Sequence, residues 1–219
     1  MSVAIVDAEG DYGAVIVSGA NLNISDADIA AAETVLSQAD CLVLQYEVNM
    51  AANIRAAQLA HEHGVRVMLN AAPAMEAPAG LLEHVDVLVA NETEAEMLSN
   101  LPVTNLTEAR TALEQLRAAC PTVMITLGDR GVLVASHTLS DIMHIPAYNV
   151  VVQDTHGAGD AFIGALATRL ANGDNLLDAV RFANAVGALM VMNVGPVASH
   201  MSEAHVRTFL KEHKVTGIW

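Results

Sequence analysis

Basic residues are scarce in this chain. It has only two lysines, Lys211 and Lys214, and no Lys or Arg before Arg55, and its formal net charge is −15 over 219 residues. That shortage argues against a nucleic-acid partner, because neutralising phosphates takes basic side chains. It also excludes a Walker-type phosphate loop, which needs a lysine directly after its Gly-rich turn. Any nucleotide held here is held without that lysine. The acidity fits a well-solvated surface. Aromatic residues are rare as well, at 3% against 53% apolar residues, so the core must be built from Ala, Val, Leu, Ile and Met. No run of about 18 apolar residues occurs, which speaks against a membrane span. Residues 1–20 carry Asp7, Glu9 and Asp11 and no basic residue, which speaks against a signal peptide. The expected location is the cytoplasm. The two cysteines, Cys41 and Cys120, fit reduced, buried small hydrophobes. No paired-Cys or HExxH spacing accompanies the nine histidines, so a structural zinc site is not expected. His61 and His63 lie two apart on an expected helix and do not converge.

The length suits one domain with a sizeable core, and no linker, low-complexity tract or short repeat divides residues 1–219. Two short strands, Val3–Val6 and Ala14–Val17, open the chain. Ser25, with Asp28 three residues on, reads as a helix N-cap. Apolar strands at Cys41–Leu44, Val65–Leu69, Val85–Val89 and Thr122–Thr126 then alternate with helices at Asn49–His63, Glu92–Ser99 and Thr107–Ala119, with a loop and short helix over Pro73–His84. Such alternation indicates a parallel sheet with helices on its faces. Val132–Ala135 and Ile142–Ile145 read as hairpin strands. A β-type run, Asn149–Val152, leads into a helix over Ala158–Ala171, followed by helices at Leu176–Met192 and Ser202–His213.

The segment Asp154-Thr155-His156-Gly157-Ala158-Gly159-Asp160 carries the strongest chemical signal. Two glycines within three residues let the backbone turn sharply. N–H groups then converge at a helix N-terminus, a ready-made anion site. Asp160 stands in the first turn beside it, which is the layout that phosphoryl transfer to a hydroxyl needs. The same residue is also one that a helix dipole alone favours. A second cluster, Asn91-Glu92-Thr93-Glu94-Ala95-Glu96, follows a strand, at the edge where open α/β sheets bind ligands. Asn91 and Glu94 share a helix face. A carboxylate there suits Mg2+ held through water, and it equally suits a plain helix cap. The third, Thr126-Leu127-Gly128-Asp129-Arg130-Gly131, either lets a nucleotide approach the backbone or is a turn between strands.

Together these residues resemble the ribokinase-like, or PfkB, carbohydrate kinases. The segment Asp154 to Asp160 matches the family's C-terminal signature. Asn91 to Glu96, Asn70-Ala71-Ala72-Pro73-Ala74, Ile125 to Val132 and Gly19-Ala20-Asn21-Leu22-Asn23-Ile24-Ser25 match in the family's order. The resemblance implies a three-layer αβα fold with a mostly parallel central sheet and a remnant of a β lid in residues 1–22. The family's N-terminal strand and Gly-Gly sugar-binding segment have no counterpart here, so the fold is expected to be N-terminally truncated, with a sheet edge uncovered. The resemblance also implies roles. Asp160 would be the base that takes a sugar hydroxyl's proton, and Gly157, Ala158 and Gly159 would form the anion hole. Asn91 and Glu94 would belong to a Mg·ATP site. Thr126, Gly128, Asp129, Arg130 and Gly131 would line the nucleotide, with Asn184 near the adenine. Glu47 would hold the sugar. A potassium loop would use Asp154 and the main chain around His156, Asn193 and Gly195, with Ser199 nearby. Three readings follow: an ATP-dependent sugar kinase acting as a homo-dimer; a catalytically impaired nucleotide-binding protein; and a subunit whose partner chain completes the sheet and sugar site.

Overall fold

The computed structural model describes residues 2–6, 12–16, 18–193 and 201–213. Strands β1 (Ser2–Val6) and β2 (Tyr12–Ile16) pair antiparallel and form a two-stranded sheet of their own. Helix α1 (Asp26–Leu36) follows. Its start is the expected capping box: the Ser25 hydroxyl accepts the Asp28 N–H, and the Asp28 carboxylate accepts the Ser25 N–H at 2.8 Å.

The main sheet has six strands in chain order: β3 (Cys41–Leu44), β4 (Arg66–Asn70), β5 (Val87–Ala90), β6 (Thr122–Thr126), β7 (Val132–Ser136) and β8 (Met143–Ile145). β3 to β6 run parallel, while β7 and β8 return antiparallel as the expected hairpin. Helix α2 (Met50–Glu62) connects β3 to β4, helices α3 (Glu92–Ser99) and α4 (Leu106–Leu116) connect β5 to β6, and the β4–β5 connection holds only a 3-10 turn at Leu82–His84. Side chains alternate across the sheet and so divide the core in two. Val67, Leu69, Leu88, Val123 and Ile125 pack with α2 and α4. Met68, Val87, Val89 and Met124 pack with α5 (Ala158–Ala171) and α6 (Leu176–Val191). The result is three layers, αβα. The aliphatic core expected from composition is present: Tyr46 and Phe162 are the aromatic members of these two clusters. The other buried aromatics lie outside the sheet, where Tyr148 and Phe209 meet edge to face at 5.0 Å and hold α7 (Glu203–Glu212) against α6. Among the described residues β3 is an edge strand, and its Val43 is 42% exposed. Cys120 is buried and Cys41 half-buried, and both thiols are free.

The structure corrects one expectation about the approach to α5. Asn149–Val152 is not a strand. No neighbour pairs with it among the described residues, and Val151 and Val152 are 74% and 56% exposed. Its β-branched composition is overridden by the lack of a ladder partner. The chain is instead tied to the end of α6, where the Val191 carbonyl accepts the N–H groups of Gln153 at 2.6 Å and Asp154 at 3.2 Å.

The fold gathers the chemistry at one edge. Parallel strands put all their C-terminal ends on the same side, so Gln45, Asn70, Asn91 and Thr126 stand at or just beyond the ends of β3 to β6. Gly131 fixes the turn after β6. It has φ +89°, and a Cβ there would come 2.1 Å from the Ile145 carbonyl oxygen. Gly64, at φ +70°, has open space around it. In urea denaturation, Gly131→Ala should therefore cost more than Gly64→Ala. The latter should lose about 1–2 kcal/mol, the cost of a left-handed residue, and the former that amount plus a clash.

Candidate functional site

A cleft of about 660 Å³ opens at this edge, within the size range of small-molecule sites. One wall is the turn after β6. Thr126 ends the strand, and Gly128–Arg130 makes a single 3-10 turn. That turn is closed by the Leu127 N–H donating to the Gly131 carbonyl at 2.7 Å. The opposite wall is the second half of α6, from Asn184 to Val191, with the irregular segment 147–152 beside it. The Asn184 amide donates to the Pro146 carbonyl at 2.9 Å, tying α6 to that segment. Val150, Val152, Ala188 and Val191 make an apolar slot, while Asn91, Asp129 and Asn149 make the polar rim. No Lys or Arg lines the cleft among the described residues.

The floor of the cleft is the start of α5. Among the described residues, each of the other six α-helices has a side-chain N-cap: Ser25, Asn49, Asn91, Asn105, Asn175 and Ser202. α5 begins at Gly157, with φ 74° and no capping side chain. First-turn N–H groups that no side chain satisfies must find another partner. Here Ala158 and Gly159 line the cleft. The Ala158 N–H, expected in the anion hole, already donates to the Thr155 carbonyl at 3.3 Å, so it is the positive end of the helix dipole that faces whatever enters. Asp160 follows in the same turn and is exposed.

Asn91 and Glu94 are held more tightly than their expected role requires. Glu94 is 5% exposed. Its carboxylate accepts the Asn91 main-chain N–H at 2.7 Å and the Asn91 side-chain amide at 2.9 Å, and the Glu94 N–H donates back to Asn91 Oδ1. This is a full capping box for α3. Burial pushes the Glu94 carboxyl up from its ordinary value, against the lowering effect of the Asn91 N–H bond, and neighbouring Glu92 adds to the rise. Asn91 lines the cleft and Glu94 does not. Arg130 is likewise committed elsewhere: its guanidinium pairs with Glu92 at 2.8 Å and donates to the Thr104 carbonyl at 2.8 Å, bracing the turn from outside the cleft.

The expected residues thus divide. Asn91, Thr126, Gly128, Asp129, Gly131, Ala158, Gly159 and Asn184 meet around one cleft. Gly157 and Asp160 flank its floor. Glu94 and Arg130 support it from behind. Glu47 lies in the segment after β3, where its carbonyl accepts the Asn21 amide at 3.4 Å. In the expected cation loop, Asp154 Oδ1 accepts the His156 N–H at 2.9 Å and the Asn193 amide donates to the Leu189 carbonyl. Gly195 and Ser199 lie outside the described residues. Sequence reasoning passed over Gln45, whose side-chain amide donates to Asp160 Oδ1 at 3.2 Å. A contact across 115 residues leaves no local pattern, and the one available signal was its place beside Glu47 at a strand's C-terminal end.

Comparisons with known proteins bear on the family and the fold. A family model described as pfkB family carbohydrate kinase matches residues 1–203. The chain is 42% identical over 196 residues to a ribokinase of Staphylococcus aureus (strain COL), covering 89% of this chain and 64% of that one. It is 36% identical over 200 residues to a ribokinase of Mus musculus, covering 90% and 62%. The chain therefore spans a little under two thirds of the length of these curated relatives. A solved structure of Arabidopsis thaliana ribokinase complexed with ribose and ATP superposes with TM-score 0.84 at 27% identity, covering 96% of this chain and 68% of that one.

The buried Glu94 gives a pH test. Its carboxyl pKa is raised in the folded protein, so the carboxyl favours folding while protonated, and that contribution is lost as pH rises through the folded value. Relative to Glu94→Gln, which does not titrate, the parent should lose stability between about pH 4 and pH 7. Urea midpoints at the two pH values measure this, and a gap that does not change with pH contradicts it.

Proposed function

This chain belongs to the pfkB family of carbohydrate kinases, and on that premise we propose that it is an ATP-dependent sugar kinase that transfers the γ-phosphate to a sugar hydroxyl. The observation that carries this reading is the uncapped start of α5 on the floor of the cleft, with Asp160 in its first turn. Phosphoryl transfer asks little covalent chemistry of a protein and much positioning and charge stabilisation. In the proposed reaction, Asp160 takes the proton of the hydroxyl. The freed oxygen attacks the γ-phosphorus, the bond to the β-phosphate oxygen breaks, and that oxygen leaves with the electron pair on ADP. Charge on the transferring group is met by the N–H groups of Gly157 and Gly159 and by the positive end of α5, the Ala158 N–H being held by the Thr155 carbonyl. These are fixed in advance and need no reorganisation during the reaction.

The apolar slot beside Asn184 and Val191 suits the adenine, and the turn from Thr126 to Gly131 the ribose and phosphates. Because no basic side chain lines the cleft among the described residues, the triphosphate would bring its own counter-charge as Mg2+. Glu94 does not fit as a direct ligand of that metal, since both of its oxygens accept N–H groups of Asn91. Asn91 and Asp129 face the cleft and are the polar groups nearer to hand. Potassium at the loop around Asp154 and His156 is left out of the steps, because Gly195 and Ser199 of that loop lie outside the described residues. The sugar would lie beside Asp160, with Glu47 proposed to hold it. Ribose is the first to try, because three curated relatives at 34–42% identity are named ribokinases. The β1–β2 hairpin is proposed as a lid element attached to a single domain, and the cytoplasm as the location; among the described residues no helix is long and apolar enough to cross a membrane.

Two measurements test the proposal. Sugar-dependent ADP release should fall by at least about 10²-fold in Asp160→Asn, the usual weight of a general base, while ATP binding measured by calorimetry stays within about threefold. ADP release that survives the substitution would remove Asp160 from the base role. Light scattering should give a mass twice that of one chain for the proposed homo-dimer, and a single-chain mass would refute it.

A further inference from the structure

Gln45 is the first residue after β3, and its side-chain amide reaches Asp160 Oδ1 at 3.2 Å. The nitrogen must be the atom that faces Asp160, because a carboxylate can only accept. What holds Gln45 in place is unusual. Its main-chain carbonyl accepts the side-chain amide of Asn53 at 2.6 Å. Asn53 is 2% exposed and lies on the buried face of α2 among Ala52, Ala56 and Ala57. A polar amide there is costly unless it is hydrogen-bonded, and the carbonyl of Gln45 is the oxygen it reaches. On the other side, the N–H of Tyr46 donates to the Ala72 carbonyl at 2.7 Å, and the Tyr46 ring is buried. The backbone of Gln45 is therefore gripped from both sides, and only its side chain is free to project.

We propose that Gln45 is the positioning residue for Asp160 and that Asn53 is its buried anchor. This rests on the reading of Asp160 as the base. An exposed carboxylate in a first helical turn can rotate about its side-chain torsions. An N–H donated to Oδ1 fixes its plane and leaves Oδ2 toward an incoming hydroxyl. Rates of such steps depend steeply on the angle and distance of attack. The anchor works through main chain, so it sets where the Gln45 side chain starts without touching the substrate.

The test uses the full chain and two readouts. In 15N–1H spectra, the Gln45 side-chain amide signals are identified by their loss in Gln45→Leu. They should move in Asp160→Ala and also in Asn53→Ala. Signals unmoved by Asp160→Ala overturn the contact, and signals unmoved by Asn53→Ala overturn the anchor. In ribose-dependent ADP release, Gln45→Leu should lower kcat at least tenfold with KM for ATP unchanged, and Asn53→Ala should lower it in the same way but less. Parental kcat in Gln45→Leu overturns the positioning role, as does a rise in the KM for ATP with kcat intact. A parent chain without turnover would count against the kinase reading itself, and the spectra then decide the contact and its anchor alone.

Discussion

A helix that starts without a side-chain cap is the constraint around which this molecule is organised. Among the described residues six α-helices close their N-termini with Ser or Asn, and α5 does not. The Thr155 carbonyl meets the Ala158 N–H, and the rest of the first turn opens on the cleft. Gly157 makes this possible: at φ 74° it turns the chain into the helix without a side chain that would fill the space above the donors.

The rest of the edge can be understood as support for that opening. The parallel strands β3 to β6 end on one side, so residues distant in sequence arrive together. Each is then braced from behind. Asn91 is held by Glu94, the turn after β6 by Arg130 on Glu92 and Thr104, and Gln45 by Asn53. The charged side chains of Glu94 and Arg130 do structural work here. Rigid placement of a few groups is bought with buried or paired polar residues one layer further out, which lock the side chains that face the cleft.

Much of the fold was legible in the sequence because its signals are local. The Ser25–Asp28 capping box, the helix over Ala158–Ala171 and the strand over Thr122–Thr126 follow from side chains within a few residues of one another. Asn149–Val152 failed the same test, since a β-branched run forms a strand only where another strand stands beside it. The site was legible where backbone conformation matters, as at Gly157 and Gly131, whose positive φ angles answer to glycine in the sequence. It was not legible where a side chain's direction matters. Nothing within the segment Asn91–Glu96 tells whether Glu94 faces a ligand or its own helix end.

By itself, the sequence determined the alternation of strands and helices, an aliphatic core, the absence of a lysine-based phosphate loop and the glycine turn before Asp160. All are consequences of residue type and short-range spacing. Only the tertiary structure decided which polar residues meet. It turned Glu94 and Arg130 into braces, set Gln45 against Asp160 from 115 residues away, and buried Asn53 behind it. Those outcomes depend on how the sheet's ends converge on α5, and on the cost of leaving a buried polar group without a partner, which no local pattern encodes.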